Sequence, residues 1–250
     1  SQGCAASVGR PERTWAATGC ALASNASIDC GVRFLQKPLL VFGTGEYAQM
    51  AHYYFTQHAG RHVEAFTVES AYVGEGHFLG RPVLDFAEAQ HRFAPATHEL
   101  FVAIGYTQRN QPRKRLYLEA LALGYTLPSF VHASTVVANN VRIGANSMVR
   151  EAAVLSPFCT LGDNLSIGAH VTVSHHVRID SHCHVSTTAV LCGASRIGER
   201  CFIGANATVR NGVSVGAGCV VGAGALILSD CEPDGLYAPP GTARRALDGR

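Results

Sequence analysis

From Val131 to Ile227 an aliphatic residue stands at every sixth position without interruption. The series is Val131, Val137, Ile143, Val149, Leu155, Leu161, Ile167, Val173, Ile179, Val185, Leu191, Ile197, Ile203, Val209, Val215, Val221 and Ile227. A repeat this regular is not chance, and it fixes the architecture of the second half of the chain. The residue after the aliphatic is Gly at Gly144, Gly162, Gly168, Gly198, Gly204, Gly216 and Gly222, which suits a corner where a side chain would collide. Four residues after each aliphatic there is never a charge. Those places hold Cys159, Cys183, Cys201, Cys219 and Cys231, otherwise Ala, Val, Ser, Thr or Leu. Small and apolar side chains there imply a position facing the inside of a narrow prism.

Such hexads resemble those of the left-handed parallel β-helix, whose triangular coil takes three hexads and departs from the usual right-handed crossover. The series gives between five and six coils, a prism roughly 25 Å tall at about 4.8 Å between stacked strands. The five inward cysteines then act as small hydrophobes, inert as thiols. An odd total of nine cysteines fits free thiols in a reducing compartment better than a disulfide framework. Cys192 lies off that register, and no pattern makes it a nucleophile.

Before the prism, Pro38 to Phe42 is a short apolar run that ends in Gly43-Thr44-Gly45-Glu46-Tyr47-Ala48. Met50, Ala51, Tyr54 and Phe55 then keep a helical spacing, so the segment reads as strand, glycine turn and helix. Apolar runs at Val63–Val68 and Leu100–Ile104, with helical stretches near Asp85–Phe93 and Pro112–Leu123, continue a β/α alternation, and Gly124 suits a helix stop. The expected fold is therefore an α/β Rossmann-like half-domain followed by a left-handed parallel β-helix. Its expected parts are a poorly ordered extension (1–36), a substrate-binding half-domain (37–130), the β-helix (131–231) and a C-terminal tail (232–250). A glycine turn entering a helix can hold a phosphate on backbone N–H groups, which makes Gly43 and Gly45 candidate substrate contacts. Glu69, slightly late after the second strand, is the acid available for a ribose. About 95 residues is half of a dinucleotide fold, which suits one nucleotide or a substrate better than a redox dinucleotide.

Twenty basic and eighteen acidic residues leave a net charge of +2, with no polybasic block for nucleic acid or an anionic membrane. No apolar run approaches the roughly 20 residues that span a bilayer, and the first residues lack a signal-peptide pattern. Cytoplasmic residence and small-molecule partners are the expectation.

Five of the twelve histidines lie between His170 and His184. His175 and His176 hold the third and fourth places of one hexad, and His182 and His184 the fourth and sixth of the next. None of these places faces inward, so they are expected on outer faces or corners that a neighbouring prism would cover, with His170, His176 and His182 as solvated turn residues. Residues 18 apart stack, so His175 should lie between Pro157 and Gly193. A histidine beside an unobstructed N–H offers both parts of acyl transfer: a base for the nucleophile's proton and a donor for the developing oxyanion.

With the segment Val173-Ser174-His175-His176-Val177-Arg178-Ile179-Asp180-Ser181-His182-Cys183-His184-Val185-Ser186, the chain over residues 38 to 245 resembles the NeuD/PglD-like sugar O- and N-acyltransferases. The resemblance implies an acetyl-CoA-dependent transferase acting on an amino or hydroxyl group of a sugar or nucleotide-linked sugar, in surface-polysaccharide biosynthesis. It implies a homotrimer with acetyl-CoA between adjacent prisms and no metal. His175 would be the catalytic base, His184 a contact of the acyl-CoA, and Gly193 N–H the donor to the thioester oxygen. In the closing Tyr237-Ala238-Pro239-Pro240-Gly241-Thr242-Ala243-Arg244 segment, Arg244, or Arg245 after it, would meet a CoA phosphate. Relatives commonly carry Asp or Glu after the catalytic histidine, where this chain has His176. Asp180 acting through space and His176 sharing the proton are two ways of replacing that acid. The Thr67-Val68-Glu69 stretch also departs from nucleotide-sugar-binding relatives, which argues against a UDP-linked substrate.

A metal hydratase similar to γ-class carbonic anhydrases is one rival, because His170 and His175 have the required spacing. The third histidine it needs is missing, since positions 134 to 139 read Ser-Thr-Val-Val-Ala-Asn. A prism that serves only as a scaffold is the other rival, and the histidine cluster weighs against it.

Overall fold

In the computed structural model, which describes residues 36–241 apart from residue 75, the hexads wind into a three-sided parallel prism. The N-terminal extension expected over 1–36 falls outside the described residues but for Gln36, and Arg244 falls outside them too. Each face is a parallel sheet of two-residue strands in which a strand pairs with the one 18 residues on, as Val154–Leu155 does with Thr172–Val173. The first face carries six strands, from Val136–Val137 to Leu226–Ile227. The second carries five, from Arg142–Ile143 to Ser214–Val215. The third carries seven, from Phe130–Val131 to Leu236–Tyr237. That last strand lies on Val220–Val221, so the prism extends past the boundary expected at 231 and takes in the start of the tail. The inward cysteines are buried as free thiols, as their register required.

The glycines after the aliphatic position are there because the next coil leaves no room. A Cβ on Gly168 would lie 2.4 Å from the Thr187 backbone nitrogen, and one on Gly162 would lie 2.7 Å from that of Ser181. Neither has a positive φ. The left-handed residue comes two places later, at the fourth place of the hexad. There Ala152, Phe158, Asn164, His170, His176, His182, Thr188, Ala194, Arg200, Asn206 and Gly212 all lie between +52° and +72°.

The first domain is a sheet ordered β3-β4-β2-β1-β5, with β1 at Leu39–Phe42, β2 at Val63–Val68, β3 at His77–Phe78, β4 at Arg81–Asp85 and β5 at Glu99–Val102. All pairs are parallel except β3 with β4, a hairpin strand that apolar patterning did not reveal. Helix α1 (Glu46–Tyr53) packs on one face with Leu39, Val41 and Phe101. Helices α2 (Phe86–Arg92) and α3 (Gln111–Ala122) pack on the other with Leu40, Phe42 and Val102, the period-two alternation of a covered sheet. Asp85 caps α2 by accepting from the Ala87 and Glu88 N–H groups. The stop expected at Gly124 is present, with φ +86° after the last turn of α3. Among the described residues no helix is long and apolar enough to cross a membrane.

The two domains meet on the third face. Its outward residues Phe130 and Met148 belong to the apolar cluster of α1, each adding the roughly 1.5–3 kcal/mol of a buried large side chain. Beside them the fourth places of successive coils form a polar ladder. Asn146 Oδ1 accepts from the Val102 N–H at 2.7 Å, and Asn146 Nδ2 donates to Asn164 Oδ1 at 2.8 Å. Asn164 Nδ2 donates to His182 Nδ1 at 2.9 Å, and Asn110 Nδ2 donates to the His182 carbonyl. Into this ladder runs Arg113 of α3, 2 % exposed. It donates to Asn164 Oδ1 and to the carbonyls of Asn146 and Ile104, and it lies 4.9 Å over the Tyr47 ring. His182, expected as a solvated turn residue, is instead buried at the seam against Tyr117, because α3 covers this corner.

Burial pushes the His182 pKa down to about 4, with the Lys114, Arg113 and Arg200 charges acting the same way against Glu199. A histidine lower in the folded state than its ordinary 6.5 takes its proton first when unfolded, so stability is full above 6.5 and declines as pH falls towards 4. The melting temperature should therefore drop over that window, and less steeply in His182→Asn, which keeps the conformation and polar character of Asn146 and Asn164. An unchanged slope in that variant would show that His182 is not the group responsible. For the coil contact, Gly168→Ala should lower the melting temperature far more than Gly212→Asn, which enters open space at a φ Asn accepts. Equal losses in the two would show that stacking is not the limit.

Candidate active site

His175 stands at the corner between the first and second faces, in the turn from Val173 to Arg178, and the expected stack with Gly193 is present. A Cβ on Gly193 would lie 2.6 Å from His175 Cε1 and 2.7 Å from Nε2, so only glycine lets the imidazole lie here. Ala194 N–H donates to the His175 carbonyl, fixing the register of the two coils. Among the described residues no acceptor takes the Gly193 N–H. His175 Nδ1 lies 3.1 Å from His176 Nδ1, and both residues are exposed. The corner therefore holds a base, a bare backbone beside it and a second imidazole on its far nitrogen.

Asp180 is not part of this corner. It follows the strand Arg178–Ile179, at the opposite end of the second face, and makes no hydrogen bond to His175. Burial raises its pKa, with the Arg178 charge opposing. Of the two replacements for the missing acid, His176 is the one in contact.

Residues of its own chain cover much of His184, which was expected on an outer face open to a neighbouring prism. It points outward from the third face, stacked at 5.2 Å and 19° on Phe202, with the Tyr106 ring 6.0 Å away. Burial, then the Arg113 and Arg150 charges, push its pKa down to about 4, so it is neutral at ordinary pH. The third face is opposite the corner between the first and second, so one chain holds His175 and His184 on opposite sides of its prism.

At the carboxyl ends of β1 and β5, where the chain departs from β1 in two directions, lies a cleft of ≈ 550 Å³ lined by Gly43, Thr44, Gly45, Glu46, Tyr47, Met50 and the Ala103–Gly105 loop. Gly43 has φ +120°, and a Cβ there would lie 2.7 Å from the Ala103 carbonyl oxygen. Gly45, at the start of α1, faces open space. Arg150, from the prism, reaches the cleft wall at Met50 and donates to Thr187 Oγ1. Glu69 lines neither this cleft nor the ≈ 240 Å³ hollow beside it, and is paired with Arg115 of α3 at 2.9 Å. Tyr106 and Arg150 are the neighbours of His184 and the cleft that sequence reading missed.

No curated protein sequence matches the chain. The family described as hexapeptide repeat of succinyl-transferase matches residues 195–229. Among solved structures, the acetyltransferase domain of PglB from Neisseria gonorrhoeae in complex with acetyl coenzyme A is 29 % identical, covering 82 % of this chain and 97 % of that one, with a TM-score of 0.73. PerB from Caulobacter crescentus, in complex with CoA and GDP-perosamine, is 28 % identical over 81 % of this chain and 94 % of its own, with a TM-score of 0.72. WeeI from Acinetobacter baumannii, 20 % identical over 80 % and 95 % with a TM-score of 0.54, shares the fold. The chain is an acetyl-CoA-dependent acyltransferase of the left-handed β-helix, hexapeptide-repeat class, and is similar to these sugar acetyltransferases.

Proposed function

We propose that the chain transfers the acetyl group of acetyl-CoA directly to an amino or hydroxyl group of a sugar or nucleotide-linked sugar, with His175 as general base. The observation that carries this is the imidazole of His175 seated on Gly193, a contact any side chain would abolish. His175 Nε2 takes the acceptor's proton as its nitrogen or oxygen attacks the thioester carbonyl, and Gly193 N–H donates to the oxygen where charge builds. The C–S bond breaks, and the proton passes from the imidazolium to the departing thiolate. The cleft over Gly43 and Gly45 holds the acceptor, with the amino end of α1 towards its phosphate where it has one.

Because His175 lies on the far side of the prism from His184 and from the first domain, a complete site needs His175 of one copy beside the cleft of another. The first face supports this. Its outward column reads Val136, Val154, Thr172, Val190, Thr208 and Leu226, mostly apolar, and Val136 and Leu226 at its two ends are each 62 % exposed. A homotrimer in the cytoplasm, with acetyl-CoA running between prisms, satisfies this requirement. Arg244 remains a candidate contact for its phosphates.

CoA thiol release measured against a panel of amino-sugar nucleotides and free sugars tests the activity and names the acceptor. His175→Ala should lower turnover by roughly 10²- to 10⁴-fold while acetyl-CoA binding stays nearly intact. Near wild-type turnover, or an acetylated enzyme trapped without acceptor, would overturn the mechanism. Gly45→Leu, at a place with open space around it, should raise the acceptor's KM more than that of acetyl-CoA. Mixed assemblies of His175→Ala and Gly45→Leu chains should recover part of the activity that each lacks. No recovery on mixing would mean that base and cleft belong to one chain.

A further inference from the structure

We infer that Phe158 and His176 together are the positioning device for the base: a neutral His176 imidazole accepts the Nδ1–H of His175, and the Phe158 ring fixes the plane of His176. This rests on His175 acting as the base.

Phe158 has φ +66°, and among the described residues it is the one Phe, Tyr or Trp in the left-handed region. A bulky side chain is a genuine outlier there. Burial does not explain the choice, because Phe158 is 60 % exposed. The equivalent places in other coils hold Asn, Ala, Thr, Arg, His or Gly, so the corner itself does not ask for an aromatic ring. What the ring does is stack on His176, at 4.8 Å between centroids and 27° between planes. The coil below fixes it in turn, because Asn140 Oδ1 accepts the Phe158 N–H at 3.0 Å. Asn140, Phe158 and His176 occupy the same place in three successive coils.

The contact of 3.1 Å between the two Nδ1 atoms can hold one proton between neutral rings. With that proton on His175, its Nε2 beside Gly193 is free to accept, and His176 carries its own proton on Nε2. With the proton on His176, the Nε2 of His175 is already protonated and cannot act as a base. With His176 Nδ1 as the acceptor, as proposed, the pair holds the working tautomer of His175 without a carboxylate. It does so only while the two rings keep their mutual geometry, with centroids 5.3 Å apart and planes at 83°, which the stacked Phe158 maintains.

His176→Ala, His176→Asp and Phe158→Ala test this. Ala152, Ala194 and Asp234 already adopt the required φ, so the turn accommodates the first two replacements. In enzyme labelled with ¹⁵N-histidine, the His175 Nδ1 signal should be that of a protonated nitrogen in the wild type and a tautomer mixture in His176→Ala and Phe158→Ala. With the acceptor found in the panel, His176→Ala should lose about ten-fold in kcat, the scale of one oriented hydrogen bond, with the KM of acetyl-CoA unchanged. His176→Asp should restore it. Wild-type kcat in His176→Ala while His175→Ala is inactive would overturn the positioning role alone, as would failure of His176→Asp to recover. Full activity in His175→Ala would overturn the base assignment beneath it.

Discussion

The coils of this prism satisfy most of their backbone by resting on the coils above and below, strand N–H groups reaching carbonyls one coil on, as Thr172 N–H does to Ala189, and corner N–H groups one coil back, as Ala194 N–H does to His175. That spacing, about 4.8 Å, leaves no freedom to slide, because a shift of one residue would turn the aliphatic positions outward. Residues 18 apart are consequently fixed neighbours, and chemistry can be written into a column. The glycines that meet the next coil's backbone, the Asn146–Asn164–His182 ladder and the seat of His175 on Gly193 are one constraint seen at different corners. A side chain held by such a column needs no packing of its own, which is how an exposed histidine can be well placed.

The same rigidity shapes the seam between the domains. Arg113 is a buried cation with no carboxylate partner among the described residues; amide oxygens, carbonyls and the face of Tyr47 solvate it instead. Neutral partners that cannot move are a good substitute for water, since their dipoles are oriented before the charge arrives. The cation also holds His184 neutral, together with Arg150 and burial, on the wall nearest the cleft. Truncating any one member of this network would leave several others unsatisfied, so the placement of the first domain on the third face is a cooperative property rather than a sum of contacts.

How much of this was legible in the sequence follows from the range of each interaction. The prism, its inward cysteines and the His175–Gly193 pair were legible because a fixed period of six converts sequence distance directly into spatial distance. The glycine turn and the α/β alternation were legible from local pattern, whereas the hairpin His77–Phe78 was not, being too short to show an apolar period. The burial of His182 and the covering of His184 by Tyr106 were illegible, because they depend on where a separate domain lands and no repeat carries that information. Glu69 failed as a ligand candidate for the same reason, since its partner Arg115 lies on a helix 46 residues away. The left-handed residue at the fourth place of each hexad escaped notice because side chains as different as Asn, Thr and Phe occupy it.

That tolerance bears on how the site is built. If glycine were required at every corner, the corners would offer only bare backbone; if bulk were free there, Gly193 could not yield its space to His175. The fold instead imposes a moderate conformational cost at one place per corner, which short polar residues meet easily and larger ones meet only for a return. Along the corner of the first and second faces the occupants change from Asn140 through Phe158 and His176 to Ala194 and Gly212. Large side chains lie on the amino-terminal side of His175 and small ones on the carboxyl-terminal side. The imidazole of His175 therefore takes up the space that Gly193 leaves free in the coil above, while the stacked pair Phe158 and His176 fills the neighbouring place of the same corner.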